Sequence, residues 1–497
     1  MKPFKVFLFF LVALTFILFI SFYFSGKNFV ISNQFKFKVP NFRLLIPESI
    51  EKSELQNIIH STDSSNSTLN LPERNIINED TITDLFPADS KIGERNIIIQ
   101  ELEYPRGDIS LLFSFFNKLT HSYHIDGGIR ILYYGDSQIE GDRITSSLRN
   151  KLQMKFGGMG PGLISARMVV SYTQSVQVWS SSNWRRYTLR DFRDSIISHN
   201  RLGLMMNVCR YTLPGRFNKN NGSQTEGVIR ISGSGMGFSS AEEYRYCRLL
   251  LGNIIDSCFI ELKASENYSY SDTLEPLTGL NIVSWQVKQP VKKLEITLRG
   301  KTSPDVYGIA LDDTSGVAVD NIPMRGSSGT DFTKTDTAFL RKMYTELNAE
   351  LLIFHFGVNV AMNVVKSYKY YENLLFRELS ALKKIHPDIP IIVIGISDMN
   401  ISNGIDSESI SNLEAIRTAQ KKAAFRTNCI FWDLYKAMGG KNSMKKWVTA
   451  DPALGKKDHI HFSYKGANKV AEMFYETLMQ DYATFSINSM QYQDIDK

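Results

Sequence analysis

Ile129-Arg-Ile-Leu-Tyr-Tyr-Gly-Asp-Ser137 is a short, apolar, β-prone run that stops abruptly at a Gly-Asp-Ser turn. Apolar residues at helical spacing precede it (Leu111, Leu112, Phe115, Phe116, Leu119) and follow it (Ile144, Leu148, Leu152, Phe156). The run therefore reads as a strand between two helices, the second ending at Gly157-Gly-Met-Gly-Pro-Gly162. The same texture returns after Asp320. A helix over 335–348 leads to Leu351-Leu-Ile-Phe-His-Phe356 and Gly357-Val-Asn359, one over 371–385 feeds Ile391-Ile-Val-Ile-Gly395, and one over 411–427 feeds Ile430-Phe-Trp-Asp433. Uniformly apolar strands alternating with amphipathic helices predict a parallel sheet covered on both faces, with functional groups at the carboxyl ends of its strands. Ser137, Asn359, Ser397 and Asp433 all fall at such ends.

Between these halves the texture becomes short alternating strands, such as Val228-Ile-Arg-Ile-Ser232, Phe259-Ile-Glu-Leu262 and Lys293-Leu-Glu-Ile-Thr-Leu298, which predict an inserted all-β sandwich. At the N-terminus, Val6 to Phe24 carries no charge and follows Lys2 and Lys5. As a helix it would span about 28 Å, the thickness of a bilayer core. A cleaved signal peptide has a shorter apolar core and an A-x-A-like end, so the expectation is an uncleaved transmembrane anchor. The rest would then lie outside the cytoplasmic membrane, in the periplasmic envelope, or be secreted if the segment is cleaved. The polar stretch that follows, with Ser61-Thr-Asp-Ser-Ser-Asn-Ser-Thr68, reads as a linker. The expected partition is an anchor over 1–27, a linker over 28–95, an α/β domain in two parts over 96–169 and 306–485, the β module over 170–305, and a tail over 486–497.

The 497 residues carry a formal charge of +6, with Lys and Arg spread among Asp and Glu, so nothing marks a nucleic-acid partner. Cys209, Cys247, Cys258 and Cys429 form no CxxC pair and no zinc spacing with His. No metal, no cofactor and no particular disulfide is expected, and nothing fixes the oligomeric state.

A serine hydroxyl becomes a nucleophile when an imidazole accepts its proton, and the imidazole works best with a carboxylate fixing its tautomer. Ser137 lies in a tight strand-to-helix turn. Asp458-His-Ile-His461 places a carboxylate three residues before an imidazole, and a helix over 465–480 begins after Ser463, a suitable N-cap. His355, inside an apolar run, reads as a packed core histidine, and His459 alternates with His461 and points away from it. Asp398 and Asp433 either line a pocket or cap local turns. Trp179, Trp184, Tyr187 and Trp285 either stack on sugar rings or fill the core of the β module.

Gly135-Asp136-Ser137, a glycine in Met324-Arg-Gly326, Gly357-Val-Asn359 and Asp458 to His461 follow one another in the block order of the SGNH (GDSL-type) hydrolases, which this chain resembles. The resemblance implies a three-layer α/β/α, flavodoxin-like fold. It also implies that Ser137 attacks an ester carbonyl, that His461 moves the proton and that Asp458 orients His461. The backbone N–H groups of Ser137 and Gly326 and the side-chain amide of Asn359 would hold the oxyanion, with Gly329 close to Gly326. Two positions depart from the pattern. Gln138 replaces the usual leucine, at a position that need not touch substrate, and Val360 follows Asn359 where many relatives have aspartate.

A β domain between the serine and glycine blocks is similar to the carbohydrate-binding-like insert of peptidoglycan O-acetylesterases. The expected activity is removal of O-acetyl groups from peptidoglycan or another envelope or extracellular polysaccharide, with an acetylated glycan and the membrane as partners. Acetyl transfer by the same residues, and carbohydrate binding without turnover, are the alternatives.

Overall fold

The computed structural model describes residues 28–32, 35–38, 99–189, 197–212, 224–265, 268–402 and 407–495. The expected anchor, Val6 to Phe24, lies outside them. Among the described residues no helix is long and apolar enough to cross a membrane. The chain divides into two compact units, 1–75 and 76–497. In the first, where a linker without regular structure is expected, Asn28–Ser32 and Phe35–Lys38 pair antiparallel. Phe29, Val30, Ile31, Phe35 and Phe37 give this short stretch its strand propensity.

The second unit is built on a six-stranded sheet. Its spatial order is Val317–Pro323, Ile129–Gly135, Ala349–His355, Ile391–Ile394, Ile430–Trp432 and Leu102–Glu103. The first five strands are parallel and the last runs antiparallel at the edge. Counting only the parallel strands in sequence order, the arrangement is 2-1-3-4-5, whose topological switch point falls between Ile129–Gly135 and Ala349–His355.

Alternate residues of each strand face opposite sides, and both sides are buried. Leu132, Tyr134, Leu352, Phe354 and Val393 share a core with helices Thr337–Glu346, Lys369–Ile385 and Leu413–Arg426. Ile131, Tyr133, Leu351, Ile353 and Trp432 share another with Phe113–Thr120, Thr145–Phe156 and Tyr464–Ile495. The sheet is thus the middle of three layers.

The final helix runs to Ile495, past the expected end at 480 and through the expected tail. Tyr482 and Phe485 pack edge-on or tilted against Phe113, Phe116 and Phe156, and these ring contacts keep the added turns on the domain.

The inserted module comprises a six-stranded and a five-stranded antiparallel sheet enclosing one core that includes Trp184, Tyr211, Ile229, Leu249, Ile260 and Leu298. Its limits differ from those expected. Gly162–Ile164 already pairs with Asp305–Asp312 in the six-stranded sheet, so the module runs from 162 to 312 and the α/β sheet resumes at Val317. Every residue of Asp305–Asp312 is buried, which gives this strand the apolar texture of a central α/β strand. The reason is that its sheet is covered twice, by the second β sheet and, through Leu163, Val208, Leu250 and Tyr307, by the core of the α/β domain.

A buried ionic cluster fastens the same junction. Arg130, on the central sheet, donates to Asp320 at 2.5 Å and to Asp312 of the module, while Asp312 also accepts from Arg248 at 3.0 Å. All four cysteines are buried and free, behaving as small apolar side chains.

Candidate active site

The switch point separates two loops, and a single carboxylate ties them together. Strand Ile129–Gly135 can end in so sharp a turn because Gly135 has no side chain; a Cβ there would meet the His355 carbonyl at 2.9 Å and Ile139 at 3.0 Å. Asp136, fully buried, accepts from the backbone N–H of Gln138 at 3.0 Å, of Gly357 at 3.1 Å and of Val358 at 3.2 Å. The serine turn and the Gly-Val-Asn block are thereby locked to each other. Burial pushes the Asp136 carboxyl up to about 6, against the lowering effect of those three donors. Gly357 takes φ +145, and a Cβ would press on Ile396 at 3.0 Å, so glycine is required there.

Ser137, half-buried, sits directly after this anchor. Its Oγ lies 2.8 Å from His461 Nε2, and His461 Nδ1 lies 2.8 Å from Asp458 Oδ2. With the Nδ1 proton directed at Asp458, Nε2 is left to accept the Ser137 proton. The second Asp458 oxygen accepts from the backbone N–H groups of Ile460 and His461, both at 2.9 Å. Partial burial raises the Asp458 carboxyl, but the His461 side chain and these two N–H groups outweigh it and hold Asp458 well below the usual carboxylate range. Asp458 therefore stays ionised throughout the neutral range.

Asn359 stands on the short helix Val358–Ala361. One N–H of its amide is donated to the Ser327 carbonyl at 2.8 Å, which orients the other. Val360 is buried in the core, so support for Asn359 comes from Ser327 instead of from a following aspartate. The Met324–Ser327 turn is held at both ends: Met324 N–H donates to the Gly135 carbonyl at 2.7 Å, and Ser327 N–H to the Met324 carbonyl at 2.9 Å. Gly326, inside this turn, has φ +79. The Gly329 N–H is directed to Ser327 Oγ at 3.0 Å, leaving Gly326 as the glycine suited to face the site.

Two residues that sequence reasoning gave no role hold His461 from both sides. Gln138 donates to the Ile460 carbonyl at 2.7 Å and accepts from Phe462 N–H at 3.4 Å. Arg143 donates to the Phe462 carbonyl at 3.1 Å and to the Ser137 carbonyl at 2.5 Å. Gln138 thus couples the serine turn to the histidine loop, a task the usual leucine has no polar atoms to perform. The one available signal was a glutamine and an arginine entering a segment whose neighbours are buried.

The remaining candidates are structural. His355 is buried against the Tyr133 hydroxyl at 3.1 Å, and burial lowers it to about 3, so it is neutral. His459 does not take the catalytic position: it adopts φ +58 and its carbonyl accepts from Asn400 N–H. Asp433 caps the helix Leu434–Ala437. Asp398 is buried and accepts from Ser409 Oγ at 2.6 Å and Met444 N–H at 2.8 Å. Trp184 and Tyr187 are core residues, Trp285 packs partly against that core, and exposed Trp179 is covered by Arg230, 4.8 Å from its ring centre.

A cavity of about 690 Å³ opens beside the site, between the module and the loops bearing Glu140, Gly141, Arg325 and Gly326. The module reaches the serine turn itself: Gln174 N–H donates to the Gly141 carbonyl at 3.1 Å, and Ser175 Oγ to Asp142 at 2.5 Å.

The sequence matches no protein-family model and no curated protein. Among solved structures, that of a peptidoglycan O-acetylesterase superposes with a TM-score of 0.59, covering 77% of this chain and 99% of its own at 20% identity. The two share a fold. An acetyl xylan esterase (15% identity, 32% of this chain and 80% of its own, TM-score 0.25) and a family two carbohydrate esterase from Cellvibrio japonicus (8%, 62% and 98%, TM-score 0.24) superpose too loosely to bear on the fold.

Proposed function

We propose that this chain is a serine esterase of the SGNH class that removes O-acetyl groups from peptidoglycan or another envelope or extracellular polysaccharide. The observation that carries the proposal is the Asp458–His461–Ser137 relay, two contacts of 2.8 Å placed at the switch point beside Asn359 and Gly326. Ser137 Oγ attacks the acetyl carbonyl while His461 Nε2 takes its proton. The resulting oxyanion is held by the Ser137 and Gly326 N–H groups and the free N–H of Asn359. Collapse breaks the ester bond, His461 returns the proton to the departing sugar oxygen, and the acetyl group remains on Ser137. Water then attacks with His461 again as base, releasing acetate and restoring the hydroxyl. An anchor formed by Val6 to Phe24, with the site outside the membrane, belongs to the same proposal.

The Asp458 and His461 side chains are 43% and 27% exposed, so the base is open to an incoming acceptor, and hydrolysis and acetyl transfer differ only in whether that acceptor is water or a sugar hydroxyl. Acetate release from O-acetylated peptidoglycan by wild type and Ser137→Ala, with and without an added sugar acceptor, tests the proposal. Full activity in Ser137→Ala would sink it, and acetylated acceptor in place of acetate would make the enzyme a transferase.

A further inference from the structure

The whole-chain charge of +6 conceals a strong local excess. The stretch from Lys441 to Lys465 holds Lys441, Lys445, Lys446, Lys456, Lys457 and Lys465 against Asp451 and Asp458, with no arginine or glutamate. Six lysines less two aspartates leave +4, two thirds of the net charge of the chain. This is the stretch that carries Asp458 and His461.

Its fold gathers those charges. Trp447, on helix Ser443–Thr449, accepts through its carbonyl from the N–H groups of Leu454 at 2.7 Å and Gly455 at 2.9 Å. Leu454 accepts in turn from Ser463 N–H at 2.9 Å, and Lys456 N–H donates to the His461 carbonyl at 2.8 Å. Helix, loop and the first turn of the last helix therefore form one rim around His461, with lysines on all three parts. All but half-buried Lys465 are exposed.

Lysines flanking the rim are neutralised: Lys436 lies 3.5 Å from Asp433, and Lys469 3.0 Å from Glu472. Within the rim Asp458 is committed to His461, and Lys446 and Lys457 have no carboxylate partner among the described residues. Solubility would be served by lysines anywhere on the surface. Gathered around the general base they repel one another, and that repulsion is relieved by an anionic ligand lying across the site.

We propose that this rim binds a carboxylate-bearing glycan, holding the anionic chain over His461 so that its O-acetyl groups reach Ser137. The proposal rests on the esterase reading above and adds the charge class of its polymer. Lysine suits the task, because mobile point charges accept carboxylates repeated along a flexible chain without the fixed geometry of a guanidinium fork.

The test uses the full chain as wild type, Lys446→Gln/Lys457→Gln and Lys446→Glu/Lys457→Glu. The substrates are O-acetylated alginate, O-acetylated glucomannan as the neutral polymer, and 4-nitrophenyl acetate. At low ionic strength the glutamine pair should lower kcat/KM on the alginate about tenfold and the glutamate pair further. Rates on the glucomannan and the small ester should be unchanged in both. Added salt, shortening the screening length from roughly 30 Å at 0.01 M to roughly 3 Å at 1 M, should bring wild type down to the variants. An alginate-to-glucomannan rate ratio that neither the substitutions nor salt alter would overturn the proposal.

Binding of both polymers to Ser137→Ala, read by affinity electrophoresis, separates this inference from the reading beneath it. A lysine-dependent preference for alginate without turnover by wild type would leave the rim standing and remove the esterase. Turnover without any preference would do the reverse. Capture by phosphatidylglycerol vesicles with no polymer preference would assign the lysines to a membrane surface and overturn the proposal.

Discussion

Replacing Asp136 with alanine strips the acceptor from three buried N–H groups, those of Gln138, Gly357 and Val358. Leaving a buried donor unsatisfied costs about 1–3 kcal/mol, so the loss is at least ~3 kcal/mol wherever the carboxyl carries no cost of its own. It does carry one. The native carboxyl lies at about 6 against 3.8 in the free side chain, so between these values the folded state holds a proton that the unfolded chain has released. Stability from this group is therefore complete below pH 3.8 and is lost as pH rises through about 6, a change of roughly 3 kcal/mol. Asp136→Ala lacks that slope.

The variant should accordingly be destabilised by roughly 2 kcal/mol more at pH 4.5 than at pH 7.5. Urea titrations of both proteins at the two pH values would measure this. At pH 7.5 the fold should survive while kcat drops, because the serine turn and the Asn359 block are no longer tied. Equal stability differences at the two pH values would refute the titration, and an unchanged kcat would refute the positioning role.

Four further outcomes follow from the same geometry. Ser137→Ala and His461→Ala should each lower acetyl-ester turnover by about 10⁴-fold or more, the double variant should be little worse, and Asp458→Asn should be milder; steady-state kinetics with a chromogenic acetate check all three. Asn359→Ala should cost about 10²–10³ in kcat with KM unchanged, the mark of a donor that acts in the transition state. Gln138→Leu, which strands the Ile460 carbonyl and the Phe462 N–H, should lower kcat and the rate of Ser137 labelling by a fluorophosphonate together with the thermal midpoint. Arg130→Met removes the ion-pair partner that Asp312 and Asp320 share and should destabilise the unit by about 3–5 kcal/mol in urea, against less than 1 for an exposed pair such as Arg299–Glu226.

The parallel sheet was legible because Leu351 to Phe354, Ile391 to Ile394 and Ile430 to Trp432 are uniformly apolar, the pattern expected of strands covered on both faces. Motif order singled out Ser137, Asp458 and His461, and the structure brings the three side chains into contact. Asp305–Asp312 was not legible as part of the module. Burial on both faces erased the alternation that marks a two-sheet sandwich, and the strand read as part of the next domain. Sugar stacking by Trp184 and Tyr187 fails for a related reason: composition cannot distinguish an aromatic that fills a core from one that faces a ligand. Gln138 and Arg143 were invisible because their targets on the histidine loop are main-chain carbonyls and an N–H more than 300 positions away, and backbone atoms leave no trace in side-chain patterns. Averaging charge over the whole chain likewise hid the lysines around His461.

The strand beside Ile129–Gly135 in the central sheet is Val317–Pro323, and the whole β module lies between them in the chain. Closing so long a loop costs chain entropy, and pairing of strands so far apart in sequence is intrinsically slow. A chain made from its N-terminus thus holds Ser137 long before it possesses Gly326, Asn359 or His461. The site proposed above is therefore complete only once the loop from Asp458 to His461 meets Gln138.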